Sequence, residues 1–344
     1  MTNFLNYKDK GLTGLANVGN TCYLNSCMQI ISHTYELNDF LNNKNYRNKL
    51  NKNPDTLLLV EWDNLRELMW SGNYTISPNG FVSALKHVSV LKNKEMFSNY
   101  SQNDIQEYIL FILDCFHNAL SREVEMQITG NNLNNTDNYA LKCYNMMKNL
   151  YKNEYSEIID IFFSIQITEL KSIKTNEVLN VIPESFSILS LPIPNDIKEP
   201  SLKDCFNLYC KTEQLIGEES ITNERTNMKE DVNKKIFFWD LPKILIIDLK
   251  RWNENGKKNN KLVKANINNV NLTDYVVGYN KLNNIYDLYG VCNHFGGSLG
   301  GHYTSYIKNA NNKWYEFNDT IINEIDESKI ITQNSYCFFY RKKK

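Results

Sequence analysis

Three residues in two stretches at opposite ends of the chain have the chemical types needed for attack on a carbonyl by a thiol. Cys22 follows a glycine-containing loop, His302 follows two consecutive glycines, and Asn318 lies further along the chain. A cysteine thiolate attacks a carbonyl carbon, a histidine moves the thiol proton to the leaving amine, and a third polar group orients the imidazole. The order Cys, His, Asn therefore indicates cysteine protease chemistry.

The element that must position Cys22 is a helix. Four apolar residues after it recur at spacings of three and four, which predicts a helix that begins close to Cys22. They are Leu24, Cys27, Met28 and Ile31. Because the first N–H groups of a helix are unpaired and the positive end of its dipole lies there, this position favours a thiolate.

The elements that must position His302 are two strands. Residues 303–307 and 314–317 are typical of strands, and residues 309–312 between them are typical of a hairpin turn. Such a hairpin brings Asn318 or Asp319 close to the His302 ring. We expect one of these two side chains to fix the tautomer of the imidazole.

The attacked carbonyl also needs hydrogen-bond donors for the negative charge that develops on its oxygen. The backbone N–H of Cys22 can supply one, and the side-chain amide of Asn17 can supply another. Taken alone, a cysteine is most often a small buried apolar residue, and Asn17 would be a residue that caps its loop. All the catalytic roles are filled together, which favours catalysis over these separate alternatives.

Several segments, in order along the chain, resemble motifs of the ubiquitin-specific proteases. They are 14–29 (the cysteine box of that family), 102–108 (its Gln-Gln-Asp-x-Gln-Glu-Phe motif, with Asn in place of the second Gln), 201–205 (a short family motif), 241–252 (its Leu-Pro-x-x-Leu-x-x-x-Leu-Lys-Arg-Phe strand), 289–317 (its histidine box) and 335–340 (the strand that closes its domain). The resemblance therefore covers nearly the whole chain.

The resemblance implies an α+β fold, that of a papain-like cysteine protease with a helical thumb, β fingers and a β palm. It implies one catalytic domain over residues 11–341, with the thumb at about 11–155, the fingers at about 156–240 and the palm at about 241–341. The apolar pattern agrees with this order, because helical spacing dominates up to about residue 150 and strand patterns follow from residue 158.

By position, the resemblance implies that Cys22 is the nucleophile, His302 the general base and Asn17 the oxyanion donor. Asn318 occupies the first position of an Asp/Asn pair in the family, so we favour it as the third catalytic residue and keep Asp319 as the alternative. The implied activity is hydrolysis of the bond after the C-terminal glycine of ubiquitin, without a cofactor. The expected partners are ubiquitin and ubiquitinated proteins.

The tail of ubiquitin carries two arginines before its Gly-Gly end, so the resemblance implies carboxylates that receive them. The candidates are Asp104 and Glu107, and His294 and Tyr303 are expected to line the same channel. Asp104 also has a structural alternative, because Ser101-x-x-Asp104 is typical of a capping box at the start of a helix.

Many members of the family carry two Cys-x-x-Cys pairs in the fingers, which hold structural zinc. Residues 168–174 and 221–228, where those pairs would fall, contain no cysteine. Cys205 and Cys210 have no partner pair. We therefore predict that the chain binds no metal.

The charge balance excludes some function classes. The chain has 344 residues, with 38 Lys and Arg against 39 Asp and Glu. A general binder of nucleic acid or of membrane surfaces needs a basic excess, so we expect neither partner. One local basic patch, Lys250–Arg251 with Lys257–Lys258, is expected to be a solvated loop rather than a binding site.

The sequence predicts a cytoplasmic or nuclear protein. Residues 1–10 are polar and do not resemble a signal peptide, and no apolar run is long enough to span a membrane. The 8 cysteines form no recognisable disulfide framework, which is typical of a reducing compartment.

The clearest predicted helices are 57–70 and 103–120, and the second has six apolar residues on one face. These are Ile105, Ile109, Ile112, Leu113, Phe116 and Leu120. The polar residues 131–138 are expected to form a surface loop. Strands are predicted at 161–167, 185–191, 235–239 and 244–249.

Three rival functions remain open at this point. The chain could cleave a ubiquitin-like modifier that also ends in Gly-Gly, or it could be a ubiquitin-binding scaffold without activity. The third rival is a purely structural interaction protein, but this function would not explain why the residue types needed for catalysis occur together.

Overall fold

A computed structural model of the chain describes residues 2–99, 101–297 and 300–343. Helices dominate the first half of these residues. The α-helices are α1 (Cys22–Ser32), α2 (Tyr35–Asn42), α3 (Pro54–Ser71), α4 (Asn79–Leu91), α5 (Ile105–Leu120), α6 (Asn135–Tyr151), α7 (Glu157–Phe162) and α8 (Leu202–Tyr209).

Strands dominate the second half, which confirms the predicted α+β class. They are β1 (Gly14–Leu15), β2 (Thr75–Ile76), β3 (Ser164–Ser172), β4 (Val178–Phe186), β5 (Ile188–Pro192), β6 (Glu213–Leu215), β7 (Ile221–Asn223), β8 (Met228–Glu230), β9 (Val232–Asp240), β10 (Ile244–Lys250), β11 (Val270–Asn271), β12 (Ile285–Gly297), β13 (Gly300–Lys308), β14 (Trp314–Asn318), β15 (Ile321–Ile325) and β16 (Ser335–Lys342).

The largest sheet carries the C-terminal half of the chain. Its strands follow the order β15-β14-β13-β12-β16-β10-β5, and β11 pairs with β12 outside that path. The β10–β5 pair is parallel, and the other pairs are antiparallel. Strands β12 and β13 form a long hairpin in which Phe295 lies opposite His302.

A second sheet has the order β4-β3-β9-β6, and β7 and β8 form a separate two-stranded hairpin beyond it. Residues 185–191 do not form the single strand that their pattern predicts. They are divided at Ser187, and β4 pairs with β3 in the smaller sheet whereas β5 pairs with β10 in the larger one. An unbroken run of strand-forming residues contains no signal of which sheet each part joins.

Helix α1 lies at the centre of the molecule. All of its residues are buried, including polar ones. The Ser26 hydroxyl donates to the Thr304 carbonyl at 2.9 Å, which ties the helix to β13. Gly290 on β12 permits a close approach, because a methyl group added there would collide with Ile30. The helix and the large sheet therefore share one core.

The predicted amphipathic helix at 103–120 is confirmed as α5, and all six residues of its predicted apolar face are buried. The predicted capping box is wrong in its first residue. Asp104, rather than Ser101, is the N-cap, and its Oδ1 accepts from the N–H of Gln106 at 2.7 Å. Ser101 instead hydrogen-bonds Asn99 and the Met96 carbonyl.

Two further boundaries differ from the sequence-based expectation. The predicted loop at 131–138 contains the start of α6, where Asn134 and Asp137 form a reciprocal capping box. The same polar residue types favour loops and helix starts, so composition alone does not distinguish them. The predicted strand at 161–167 begins only at Ser164, because Ile161 and Phe162 complete α7.

None of the helices among the described residues is long and apolar enough to cross a membrane.

Candidate active site

Cys22 is the first residue of α1, as predicted, and its side chain is 3% exposed. Burial raises the pKa of the Cys22 thiol, and the negative charge of Asp319 raises it further. Hydrogen bonds from the backbone of Tyr303 and of the first residues of α1 lower this pKa and partly offset the two effects that raise it. The start of the helix therefore supports the thiolate, but burial dominates in the free protein.

His302 and Asn318 meet across the β13–β14 hairpin. Asn318 ends β14, and the register of Ser305 opposite Phe317 places it diagonally beside His302. Nε2 of the imidazole lies 2.7 Å from Oδ1 of Asn318. Because a carbonyl oxygen only accepts, Nε2 carries the proton and the lone pair of Nδ1 is left for a second partner. Within the described residues, no hydrogen bond joins the imidazole to the Cys22 thiol.

Asp319 does not reach the imidazole in this arrangement. Its Oδ2 accepts from the side-chain amide of Asn17 at 3.0 Å, and its Oδ1 accepts from that of Asn25 at 2.8 Å. Its backbone has φ 50°, in the left-handed region, and its carbonyl oxygen accepts from the N–H of Leu15 at 2.9 Å. The β14–β15 turn is thereby fastened to the loop that precedes Cys22.

Asn17 organises that loop from within. Its Oδ1 accepts from the N–H of Gly19 at 3.2 Å and from that of Thr21 at 3.1 Å. Its amide nitrogen has two hydrogens, and among the described residues only the one directed at Asp319 has a hydrogen-bond partner. The second hydrogen is available to another acceptor near the start of α1.

Asn25 is a residue of this site that is not among those expected from the sequence. It is buried on α1, one turn after Cys22, and its amide also lies 3.3 Å from the carbonyl oxygens of Leu15 and Ala16. The only local signal was a polar residue on the buried side of an apolar helix.

The two candidate carboxylates differ in what they can bind. Asp104 is half-buried, and besides capping α5 its Oδ2 accepts from the Tyr336 hydroxyl at 2.8 Å. Glu107, in the first turn of α5, is exposed and has no hydrogen bond to any described residue. Glu107 is therefore the freer acceptor for a cationic side chain, and Asp104 already serves two structural contacts.

The segment before α5 contacts the residue that precedes His302. Oε1 of Gln102 accepts from the N–H of Gly301 at 2.6 Å, and Nε2 of Gln102 donates to the Gly301 carbonyl at 2.6 Å. The carboxamide thus pairs with this glycine as a neighbouring strand would. Gln102 is not among the site residues expected from the sequence.

His294 and Tyr303 lie side by side, with ring centroids 4.7 Å apart. Both are nearly buried, and Tyr336 and Trp252 pack around His294. Since Tyr336 also donates to Asp104, this aromatic cluster joins the start of α5 to the β12–β13 hairpin.

The expectation of a solvated basic loop is wrong for two of its residues. Arg251 is 1% exposed, and its guanidinium donates to the carbonyl oxygens of Ser335, Asn259 and Lys261. Lys258 is half-buried against His294. A run of basic residues in the sequence does not reveal which side chains turn inward.

Residues 213–232, which include the β7–β8 hairpin, contain no cysteine or histidine, the ligands that zinc prefers. Asp231 instead hydrogen-bonds Ser220 and the N–H of Gly217, and the Asn223 amide donates to Glu230 at 2.6 Å. Elsewhere in the described residues, one group of three potential ligands is close enough to share an ion: Asp55, Asp114 and Cys115. The Lys92 ammonium donates to both of these carboxylates, at 2.7 and 2.8 Å.

The model of one protein family, described as ubiquitin carboxyl-terminal hydrolase, matches residues 13–340. Curated relatives include ubiquitin carboxyl-terminal hydrolase Usp2 of Drosophila melanogaster, 32% identical over 97% of this chain and 35% of the relative. Ubiquitin carboxyl-terminal hydrolase 2 of Gallus gallus is 32% identical over 96% of this chain and 93% of the relative. The human protein of that name is 32% identical, and this chain spans 55% of its length.

Among solved structures, the chain is similar to one from the SAGA Ubp8/Sgf11/Sus1/Sgf73 DUB module bound to ubiquitin aldehyde. The TM-score is 0.75 at 22% identity, and the match covers 98% of this chain and 71% of that one. This likeness concerns the fold.

Proposed function

Because this chain belongs to the ubiquitin carboxyl-terminal hydrolase family, we propose that it is a cysteine protease that hydrolyses the bond after the C-terminal glycine of ubiquitin. The observation that carries the proposal is the 2.7 Å contact between His302 Nε2 and Asn318 Oδ1. His302 lies on β13, and β13 is hydrogen-bonded through Thr304 to α1, the helix that begins with Cys22. The contact with Asn318 leaves Nδ1 as the atom that can take the thiol proton.

In the proposed reaction, Nδ1 of His302 accepts the proton of the Cys22 thiol, and the thiolate sulfur attacks the carbonyl carbon of the terminal glycine. The resulting imidazolium gives its proton to the departing amine as the carbon–nitrogen bond breaks. Water then attacks the thioester with His302 as base, which releases the ubiquitin carboxylate and restores the thiol. Among the described residues of the free protein, no hydrogen bond joins the thiol and the imidazole, and we propose that bound substrate brings the two together.

We assign the oxyanion site to the backbone N–H of Cys22 and the second hydrogen of the Asn17 amide. The contact of Asn17 with Asp319 supports this assignment, because it orients the amide without using both hydrogens. Asn318 is the proposed third catalytic residue, and Asp319 is proposed to act through Asn17 rather than through the imidazole.

Substrate recognition is proposed to use Glu107 for an arginine of the ubiquitin tail. Asp104 is the second acidic candidate, and His294 and Tyr303 form the proposed floor of the channel. We also propose the three-part division of the domain, with about 11–155 as the thumb, about 156–240 as the fingers and about 241–341 as the palm. Location in the cytosol or nucleus is proposed on the free state of the described cysteines.

Turnover of modifiers that carry a C-terminal aminocoumarin tests the proposed function. We expect hydrolysis of the ubiquitin conjugate by the wild-type chain, and a loss of at least a hundredfold for His302→Ala. Faster turnover of a ubiquitin-like conjugate would move the substrate assignment to that modifier. Tight ubiquitin binding without turnover would instead support a ubiquitin-binding scaffold without catalytic activity.

A further inference from the structure

Lys258 is a half-buried lysine in the loop after β10, and it forms no ion pair with an acidic residue in the described part of the chain. Its ammonium instead lies 2.9 Å from Nδ1 of His294 and donates to the His294 carbonyl at 2.6 Å. Its Nζ also lies 5.9 Å from the centre of the Trp252 ring. Partial burial of an ammonium group costs hydration free energy, and here contacts with two atoms of one histidine replace the lost water. Lys258 is therefore held in a specific position rather than free in solvent.

The contact determines which nitrogen of His294 carries the proton. An ammonium group only donates, so Nδ1 must accept and the proton of a neutral ring must lie on Nε2. The ring is also held neutral, because burial and the charge of Lys258 lower the pKa of His294 to about 4. Burial, with the charge of Arg251, lowers the pKa of Lys258 itself to about 8, so the lysine remains mainly protonated at neutral pH.

Nε2 of His294 is directed at Gly301, the residue immediately before His302. A methyl group added at Gly301 would collide with Nε2 of His294 and with the Phe295 carbonyl oxygen. Nε2 makes no hydrogen bond to any described residue, whereas the N–H and carbonyl of Gly301 are both taken by Gln102. The ring therefore presents a neutral N–H donor that no described residue accepts, packed against a position where any side chain larger than a hydrogen would collide with it.

We propose that Lys258 is a positioning residue for substrate: it fixes His294 in the Nε2–H tautomer, so that this N–H donates to a carbonyl oxygen of the substrate's Gly-Gly end. The inference rests on the proposed function and deepens it, because it names the group that receives the diglycine. The opposite tautomer would present a lone pair to that carbonyl and would repel it. A substrate side chain would meet the imidazole, which favours glycine at this point.

The chain provides a matched set of variants. Lys258→Met keeps the length of the side chain and removes the donor, and Lys258→Arg keeps a cationic donor. Lys257→Met is the control, because Lys257 is an exposed neighbour in the same loop and its removal makes the same change in charge. A role for Lys258 in loop stability alone would lower the melting temperature of Lys258→Met without altering the proton position on His294.

Two readouts are used on the full chain. The first is the nitrogen-15 NMR spectrum of the histidine rings in the free protein, with the His294 signals identified by their loss in His294→Gln. The second is steady-state hydrolysis of ubiquitin aminocoumarin. We expect a protonated Nε2 and a bare Nδ1 in the wild type and in Lys258→Arg, and a mixture of tautomers or a cationic ring in Lys258→Met.

For hydrolysis we expect Lys258→Met to raise KM about three- to tenfold, the range for one misdirected hydrogen bond, with kcat within about twofold of wild type. Lys258→Arg should restore KM, and Lys257→Met should leave it unchanged. A proton on Nδ1 in the wild type, or an unchanged tautomer or KM in Lys258→Met, would overturn the proposal. Failure of the wild type to hydrolyse ubiquitin would instead defeat the proposed function, and the spectrum of the free protein would still decide the tautomer.

Discussion

Asp319 offers the sharpest test of how this site is organised, because its contacts differ from those of an ordinary third catalytic residue. If it acts by orienting the Asn17 amide, Asp319→Ala and Asn17→Ala remove the same oxyanion donor. Loss of one such donor costs about 2.7–4 kcal/mol, or 10²- to 10³-fold in kcat. We expect this full loss of kcat for Asn17→Ala. For Asp319→Ala we expect a loss of kcat of at least about tenfold and at most as large as that of Asn17→Ala.

The double variant supplies the decisive comparison. Because the two side chains share one function, their joint removal should cost no more than Asn17→Ala alone, which gives a coupling energy of roughly 1.4–4 kcal/mol in the cycle. The assay is kcat for hydrolysis of ubiquitin aminocoumarin. Glu324→Ala, which removes a surface carboxylate from the same hairpin, is the control and should stay within about twofold of wild type.

Asp319→Ala should change the reactivity of the Cys22 thiol in the direction opposite to its effect on turnover. The charge of Asp319 adds to burial in raising the pKa of the Cys22 thiol, so its removal should speed alkylation of Cys22 by iodoacetamide at neutral pH. Lower turnover together with a more reactive thiol is the expected pair. If the losses of the two substitutions multiply in the double variant and alkylation also slows, Asp319 acts on the imidazole or the thiol and not through Asn17.

Three further predictions follow from burial and charge. Because burial raises the Cys22 pKa above the ordinary thiol value of 9, alkylation of the free protein should keep rising beyond pH 9, and a plateau below pH 8 would contradict this. Glu107→Gln should raise KM for ubiquitin about three- to fivefold at low salt, with little change in kcat, and the difference should shrink at high salt if an arginine is the partner. Asp248 is 3% exposed, and burial with the nearby charge of Asp104 raises its pKa to about 7. The native state therefore holds a proton that the unfolded chain releases near pH 4, and stability falls by about 2–4 kcal/mol as pH rises through this window. Asp248→Asn should raise the melting temperature at pH 8 and change it little at pH 4, and an equal shift at both values would contradict the assignment.

Local signals in the sequence were sufficient to predict the helix and the hairpin that hold the proposed catalytic residues. The start of α1 at Cys22 follows from apolar spacing after a glycine-containing loop, and the β13–β14 hairpin follows from two strand patterns around a polar turn. The hairpin brings a carboxamide to His302 because strand pairing makes diagonal neighbours of residues distant in the chain. These features depend on short-range periodicity, which a single sequence contains.

Contacts between separate elements could not be read in the same way. Asp319 is adjacent to Asn318 in the chain, yet its left-handed backbone turns the carboxylate towards Asn17 and Asn25. Lys258 belongs to a run that is typical of solvated loops, but the fold places it on His294. In both cases the partner lies on another element, and its position depends on packing of the whole domain.

The proposed function depends on attack by the Cys22 thiolate at the C-terminal glycine of ubiquitin. The most direct test is the intact mass of the chain after incubation with ubiquitin that carries a thiol-reactive group at its C-terminus, beside a folded Cys22→Ala control. We predict a mass increase of one ubiquitin for the wild type and none for the control. An adduct that persists in Cys22→Ala, or no adduct on the folded wild-type chain, would contradict the assignment of Cys22 as the nucleophile.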